Sequence, residues 1–310
     1  MQILVWLGLI AGFILLIKGA DIFVDASSNI AKKFNIPSII IGLTIVTFGT
    51  SAPEFVISMS ATFSGASGIT VGNIVGSNTF NTLLVIGFCA IIRPIYVKFS
   101  DIKRDYLCGM GSAALVFILM LIFTTQIPRI AAGLMLVIFI VYLTFVLRGA
   151  RHKIAAQPAQ GNTNIPLAKN ICIALLGASI ILAGGQLTVS CALHIATQLG
   201  ISERMVGLTI LAIGTSLPEL ITSIVACKKG ESDIAIGNVV GSNVFNILFV
   251  IGSSGLVAPL VVSPELTSDF SFLLIGSVAL LIFICLCKRV SRAAGFVLVL
   301  SYAAYMLFIA

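Results

Sequence analysis

Two glutamates stand where an apolar chain has no ordinary use for them. Glu54 lies in "GTSAPEF" (residues 49–55), between "IIIGLTIVTF" and "VISMSATF". Glu219 lies in "GTSLPEL" (residues 214–220). A carboxylate at the centre of a hydrocarbon layer costs about 2.5–3.5 kcal/mol even on the lenient insertion scale. Two of them near one midplane also repel each other, and a bound cation would offset both terms. The neighbouring residue types suit that chemistry. Thr50, Glu54 and Ser58 fall at i, i+4 and i+8, on one helix face, and Asn73, Ser77 and Asn81 repeat the spacing. Thr215, Glu219 and Ser223, with Asn238, Ser242 and Asn246, form a second pair of stripes. Neither pair contains His or Cys. All-oxygen ligation suits Ca²⁺, Na⁺ or Mg²⁺ and argues against zinc or copper.

Proline and glycine beside each glutamate add a second kind of oxygen. Pro53 lacks an N–H and clashes with the carbonyl one turn back, so a helix breaks there, and Gly49 makes the backbone permissive. Carbonyls near residues 47–50 are then expected to lose their helical partners. Such groups must be buried in protein or line a wet cavity. A single intramembrane Ser, Thr or Asn is more often interhelical glue than ligand. For Ser58, Ser223, Asn73, Asn238, Asn78 and Asn243 both roles stay open.

The elements that position these residues follow from composition. Hydrophobic residues make up 59% of the chain and charged residues 9%, with mean hydropathy +1.16. Soluble domains are nearer a quarter charged, so the chain reads as an all-α integral membrane protein. Ten apolar stretches approach the roughly 20 residues needed to span a bilayer. They lie at residues 3–22, 38–63, 70–92, 107–124, 128–148, 168–190, 204–227, 234–257, 269–287 and 293–309. The first lacks a basic leader and an obvious cleavage site, and reads as a retained span. Residues 148–166, with Pro, Gly, Gln and Asn, read as a linker.

Net charge is +7, but its distribution points away from nucleic acid. With the N-terminus outside and the spans alternating, sixteen Lys and Arg fall inside and only Arg129 and Arg204 outside. This positive-inside bias places both termini on the extracytoplasmic side of a cell (inner) membrane. The seven cysteines show no CxxC spacing and read as small packing residues rather than disulfides. Asp21 and Asp25 are expected at a helix end. Glu203, Glu265 and Asp269 are expected as outer-loop charges, and His194 as structural.

Shifted by 165, the chain overlays itself without a gap. Over residues 42–87, 26 of 46 positions are identical to residues 207–252. Each copy holds five spans, so the second would enter the membrane from the opposite side, giving an inverted-topology repeat. Residues 1–148 are read as the first five-helix repeat (motif 42–87), 149–166 as a cytoplasmic linker, and 167–310 as the second repeat (motif 207–252). Gly72-x3-Gly76 and Gly237-x3-Gly241 supply small faces for close helix approach.

"GTSAPEF...GNIVGSNTFN" and "GTSLPEL...GNVVGSNVFN" resemble the paired alpha repeats of the sodium/calcium exchangers, in the calcium/cation antiporter superfamily. The resemblance runs over essentially the whole chain. It implies ten helices, an ion site built from the second and third spans of both copies, and first and sixth spans that slide to give alternating access. It implies that Glu54 and Glu219 ligate Ca²⁺ with their carboxylates, and that the backbone carbonyls of Thr50 and Thr215 complete that site. It further implies Na⁺ sites drawing on Thr47, Thr50, Ser51, Ser77, Ala212, Thr215, Ser216 and Ser242, with Asn81 and Asn246 facing the centre. Many relatives are acidic at the position of Asn246. In the potassium-dependent branch an Asp there accompanies K⁺ transport, so the amide argues against K⁺ coupling.

The function expected is Na⁺/Ca²⁺ antiport, with membrane lipid around it and no cofactor, nucleic acid or obligate protein partner. Ca²⁺/H⁺ antiport is the alternative within the superfamily. A cation channel is the alternative of another class, and it would need no inverted repeat. An intramembrane hydrolase would need a nucleophile with a base, or a metal dyad, which the stripes do not contain.

Overall fold

The computed structural model describes residues 2–96, 99–155, 166–198 and 212–309, and these are helical almost throughout. In chain order the helices are α1 (Gln2–Phe34), α2 (Ser38–Thr50), α3 (Ala52–Phe63), α4 (Ser67–Ile92), α5 (Phe99–Ile122) and α6 (Arg129–Ala155). They continue with α7 (Leu167–Gln198), α8 (Ala212–Thr215), α9 (Leu217–Lys229), α10 (Ser232–Val257), α11 (Pro264–Cys287) and α12 (Arg292–Ile309). Among the described residues, seven helices are long and apolar enough to cross a membrane, and the bent pair α2–α3 makes an eighth. The apolar part of α12 is shorter, Arg292–Leu307. The span expected at 204–227 begins outside the described residues, which hold only its later part, α8 and α9.

Burial separates a core from a surround. In α4 and α10, 78% and 89% of the apolar window is buried, against 28–33% for α1, α5, α6, α7 and α11. The two central helices are therefore wrapped by protein, and their polar stripes can point inward without meeting lipid. Close approach at the centre depends on glycine. A Cβ at Gly42 would lie 2.6 Å from the Ile234 carbonyl oxygen and 2.8 Å from Gly237 Cα. In the surround, α1 and α7 pack on each other, and a Cβ at Gly184 would sit 2.9 Å from the Gly12 carbonyl oxygen.

The break before each glutamate is narrower than the sequence suggests. α2 and α3 meet at Ser51 (φ −86°, ψ 8°) with a bend of 46°. Pro53 falls in the first turn of α3, where its missing N–H costs nothing. The Thr47 carbonyl still accepts from the Ser51 N–H at 2.9 Å, and the Ser51 carbonyl from the Phe55 N–H at 3.3 Å. Only part of the expected carbonyl set is freed. Ser216 has the same geometry before α9 (φ −91°, ψ 2°). Among the described residues, three π-helical stretches, which the sequence pattern did not announce, adjust the helices around these breaks: Gly42–Val46, Phe80–Val85 and Phe245–Ile251.

Two antiparallel strand pairs mark opposite ends of the bundle. Ile95–Tyr96 (β1) pairs with Arg289–Val290 (β4), and Gln126–Ile127 (β2) with Leu260–Val261 (β3). On the β1–β4 side, a Cβ at Gly230 would lie 2.8 Å from the Arg93 guanidinium, which brings the 93 and 230 loops together. Lys32 pairs with Glu231 at 3.4 Å and Lys229 with Asp21 and Asp25 at 2.7 Å each. On the β2–β3 side, Ser67 Oγ donates to the Pro259 carbonyl at 3.1 Å, and Arg129 to the Val257 carbonyl at 2.8 Å. Lys32, Arg93 and Lys229 thus gather at the first end, and Arg129 lies at the other.

Several charges fall differently from expectation. Asp21 and Asp25 lie within α1, which runs to Phe34, and Lys229 pairs with both carboxylates there. Glu265 and Asp269 belong to the first turns of α11 rather than to a loop, and the Tyr305 hydroxyl donates to Asp269 Oδ1 at 2.9 Å. Residues 149–155 of the expected linker continue α6; Glu203, Arg204 and most of that linker lie outside the described residues. His194 bonds Gln198 one turn along α7 at 3.0 Å. All seven cysteines are free.

The glycine contact yields a test. Gly237→Ala forces a methyl against the Ile39 carbonyl and Gly42. It is expected to destabilise the protein by about 1–3 kcal/mol. Gly111→Ala, where nothing lies within 4 Å of the added carbon, should leave stability unchanged or raise it. Thermal unfolding midpoints in detergent compare the two, and equal midpoints would refute the close crossing.

Candidate ion-binding site

Glu54 and Glu219 begin α3 and α9, one turn past each break, and both are fully buried. Each carboxylate is held from the other half of the chain. Ser216 Oγ lies 3.2 Å from Glu54 Oε1, and Ser51 Oγ lies 2.8 Å from Glu219 Oε1. Ser77 Oγ stands 3.3 Å from Glu54 Oε1 and 2.8 Å from Ser216 Oγ. In the matching position, Ser242 Oγ stands 2.8 Å from Ser51 Oγ. The serines at the two breaks are therefore the bridges between the glutamates and the central helices α4 and α10.

A further layer locks the stripes together. Thr50 Oγ1 donates to Asn238 Oδ1 at 3.0 Å, and Thr215 Oγ1 to Asn73 Oδ1 at 3.5 Å. The amide nitrogens of Asn238 and Asn73 donate to Ser223 and Ser58 at 3.1 and 3.4 Å. Asn73, Asn238, Ser58 and Ser223 thus engage one another and the threonines, the geometry of helix glue. Thr47 is committed to backbone. Its hydroxyl is 2.9 Å from the Gly42 carbonyl oxygen, inside the π-helical turn, and 3.3 Å from that of Asn238. Ala212 opens α8, and its side chain lies outside the described residues.

What remains unengaged is a set of oxygens. Glu54 Oε2, Glu219 Oε2, Asn246 Oδ1 and both amide atoms of Asn81 are shielded from solvent and have no hydrogen-bond partner among the described residues. Buried polar atoms are nearly always paired, so four such oxygens on the glutamates and amides of the stripes fit a hard cation. Among the described residues no group of three or more His, Cys, Asp or Glu could hold a metal ion. The unengaged oxygens belong to two carboxylates and two neutral amides, with a formal charge of −2 when both carboxylates are ionised.

Helices α1 and α7 cover the two breaks. A Cβ at Gly49 would meet the Phe23 ring of α1 at 2.9 Å. Val189 of α7 lies against Gly214, and a Cβ at Gly185 would lie 3.4 Å from Pro218. Sequence reasoning did not single out Asn78 and Asn243 as anything beyond glue or ligand, yet Asn78 Oδ1 accepts from Asn246 Nδ2 at 3.2 Å and so adjoins the site directly. It also passed over Asp105, a buried carboxylate on α5 paired with Arg104 at 3.0 Å, which stands apart from the glutamates.

Comparison with known proteins agrees with this geometry. The family model "Sodium/calcium exchanger protein" matches residues 4–148 and 169–310. A putative antiporter, CaxA, of Alkalimonas amylolytica is 37% identical over 308 residues, covering 96% of this chain and 95% of that one. The sodium/calcium exchanger MaX1 of Methanosarcina acetivorans is 33% identical over 340 residues, covering 96% of each. Among solved structures, the sodium-calcium exchanger NCX_Mj soaked with Na⁺ and Ca²⁺ superposes with a TM-score of 0.86, at 30% identity and 99% coverage of both chains. Match over both halves, through the two glutamate motifs, leads to one conclusion: the chain belongs to the sodium/calcium exchanger family, which makes it a membrane antiporter of cations and not an enzyme.

Proposed function

We propose that this protein exchanges Na⁺ for Ca²⁺ across a cell membrane by alternating access. The observation that carries the reading is the pair of buried glutamates, each with one oxygen tied to a serine of the other half and one oxygen unengaged. Two carboxylates balance one Ca²⁺ or two Na⁺, so the ions compete for one charge-neutral cage. Glu54, Glu219 and the Thr50 and Thr215 carbonyls hold Ca²⁺. Thr47, Ser51, Ser77, Ala212, Ser216 and Ser242 serve neighbouring Na⁺ sites, with Asn81 and Asn246 at the centre. Loading either ion screens the carboxylates from each other and lets α1 and α7 slide as a pair over Gly49 and Gly214. The bare dianion resists passage through an occluded, dry intermediate, which is what couples one flux to the other.

The same proposal takes the architecture as ten spans in two inverted five-helix repeats, residues 1–148 and 167–310, joined by a cytoplasmic linker at 149–166. The end that gathers the cations is cytoplasmic, and both termini are outside.

Uptake of Ca²⁺ into proteoliposomes is the direct test. An outward Na⁺ gradient should drive it and a pH gradient of matching size should not. Uptake driven by pH alone would replace Na⁺ coupling with H⁺ coupling. Glu54→Gln and Glu219→Gln should each abolish uptake and also remove the Ca²⁺-induced rise in unfolding temperature. Near-normal exchange by either variant would sink the site.

Orientation is tested with single cysteines after the native seven are replaced. Thr267→Cys should react with impermeant thiol reagents only from outside, and Gly161→Cys only from the cytoplasm. The reverse pattern would invert the assignment.

Asn246 sets the expected cation dependence. Its Nδ2 donates to Ser77 Oγ at 3.3 Å and to Asn78 Oδ1 at 3.2 Å. An Asp can donate there only when protonated. Wild-type exchange should therefore run undiminished when K⁺ is replaced by choline. Asn246→Asp should make exchange fall as pH rises and its carboxyl ionises, unless K⁺ is supplied. Collapse of wild-type flux without K⁺ would show a potassium-coupled exchanger instead.

A further inference from the structure

Most contacts across the centre come in pairs related by the 165-residue shift. One set does not. Asn246 Nδ2 donates to Ser77 Oγ and to Asn78 Oδ1. The shift maps these three residues onto Asn81, Ser242 and Asn243. There the bonds are missing: both amide atoms of Asn81 and the side-chain oxygen of Asn243 are shielded from solvent without a partner among the described residues. A donor and an acceptor thus lie unpaired in the very positions where the other half has a made bond. Unpaired buried amides are costly, so a bond that one half makes and the other does not marks a real difference between the halves.

The acceptor is already aimed. Asn243 Nδ2 donates to Thr82 Oγ1 at 2.9 Å, which fixes the amide and leaves Oδ1 as its unengaged face. Ile247 occupies the position matching Thr82 and offers no hydroxyl. Asn78 Nδ2 reaches instead to the Asn243 backbone carbonyl at 3.0 Å. Asn78 and Asn243 are thereby tied to each other where α4 crosses α10, so displacement of one is felt by the other.

We infer that Asn78 and Asn243 are alternate acceptors of a reciprocating amide latch. In the conformation described here Asn246 is latched to Asn78 and Asn81 is released. In the conformation open to the opposite side, Asn81 Nδ2 bonds Asn243 Oδ1, and Asn246 is released from Asn78. The two bonds exclude each other, so each half in turn locks its central amide while the other half's amide is free to turn toward the ions. Asn78 and Asn243 are positioning residues. They act through Asn246 and Asn81, and this role rests on the alternating-access reading above.

Two matched reporters test it. Cys227 lies two turns beyond Glu219 on the Glu219–Ser223 face of α9, and Thr62 lies two turns beyond Glu54 on the equivalent face of α3; both are buried. In an otherwise cysteine-free protein carrying either native Cys227 or Thr62→Cys, labelling by an impermeant methanethiosulfonate from each side reads opening toward that side. Asn78→Ala removes the bond made here, and Asn243→Ala removes the acceptor for the other. The ratio of the two labelling rates should move about three- to tenfold in opposite directions for the two substitutions. Asn78→Ala/Asn243→Ala together should return it to within about twofold of the parent. Thr82→Val, which only frees the Asn243 amide, should move the ratio in the same direction as Asn243→Ala and by less, and it serves if either alanine variant misfolds. Shifts in one common direction, or no shift, overturn the latch. Na⁺-driven Ca²⁺ uptake is measured in the same vesicles. Intact wild-type uptake beside unshifted ratios overturns the latch alone, while opposed shifts without Na⁺-driven uptake support the latch and overturn Na⁺ coupling.

Discussion

Keeping two carboxylates inside an apolar bundle is the constraint on which the rest of this structure depends. Among the described residues, neither Glu54 nor Glu219 forms an ion pair with a basic residue. Each instead leans on a serine from the opposite half, Ser216 and Ser51, at 3.2 and 2.8 Å. Neutral hydroxyls orient a carboxylate without cancelling its charge. The charge therefore remains available to a cation, and one oxygen of each glutamate remains free to meet it. A lysine or arginine in those positions would have given a stable ion pair and no site.

The cross-bonding dictates the architecture around it. For Ser51 to reach Glu219 and Ser216 to reach Glu54, both helix breaks must face each other at the same depth. On the side of the first break, that brings α10 across the broken segment at backbone contact. Gly42 and Gly237 allow this, with the carbon of one against the other. The π-helical turns serve the same end. An added residue in a turn rotates everything beyond it, and Thr47 compensates the loosened backbone by bonding the Gly42 carbonyl. Further out, the packing loosens. α1 and α7 bury about a third of their apolar windows, and they touch the breaks through Phe23 and Val189 rather than through hydrogen bonds. Apolar contacts of this kind slide at low cost, whereas the hydroxyl network of the core does not. The division between a bonded core and a greasy cover is what a carrier that moves one part against another needs.

The two halves are alike in sequence and unlike in detail. Thr82 faces Asn243 where Ile247 stands in the other half, and Thr47 is matched by Ala212. A molecule with two equivalent halves can adopt two states of opposite sense only if they differ at any instant. The unequal bonding of Asn81 and Asn246 is where that difference is visible at the centre.

By itself, the sequence determined the membrane class, the position of the glutamates, the repeat and the oxygen character of the donors. These follow from local chemistry: apolar runs of span length, Pro53 and Pro218 beside the carboxylates, and stripes at i, i+4 and i+8. It located the breaks to within a residue or two, because proline acts on its own turn. Only the tertiary structure decided which hydroxyl serves which carboxylate, since Ser51–Glu219 and Ser216–Glu54 are contacts 168 and 162 residues apart along the chain. It separated Asn73 and Asn238, whose amide oxygens accept from threonines, from Asn81 and Asn246, whose amide oxygens have no partner among the described residues, although all four share residue type. It carried Asp21 and Asp25 into the body of α1 and set against both of them Lys229, from a helix two hundred residues away. It placed the π-helical turns, which depend on packing between helices and leave no period in the sequence. Spacing along a chain encodes which side chains share a face; what a face meets is encoded only in the sum of all the other faces.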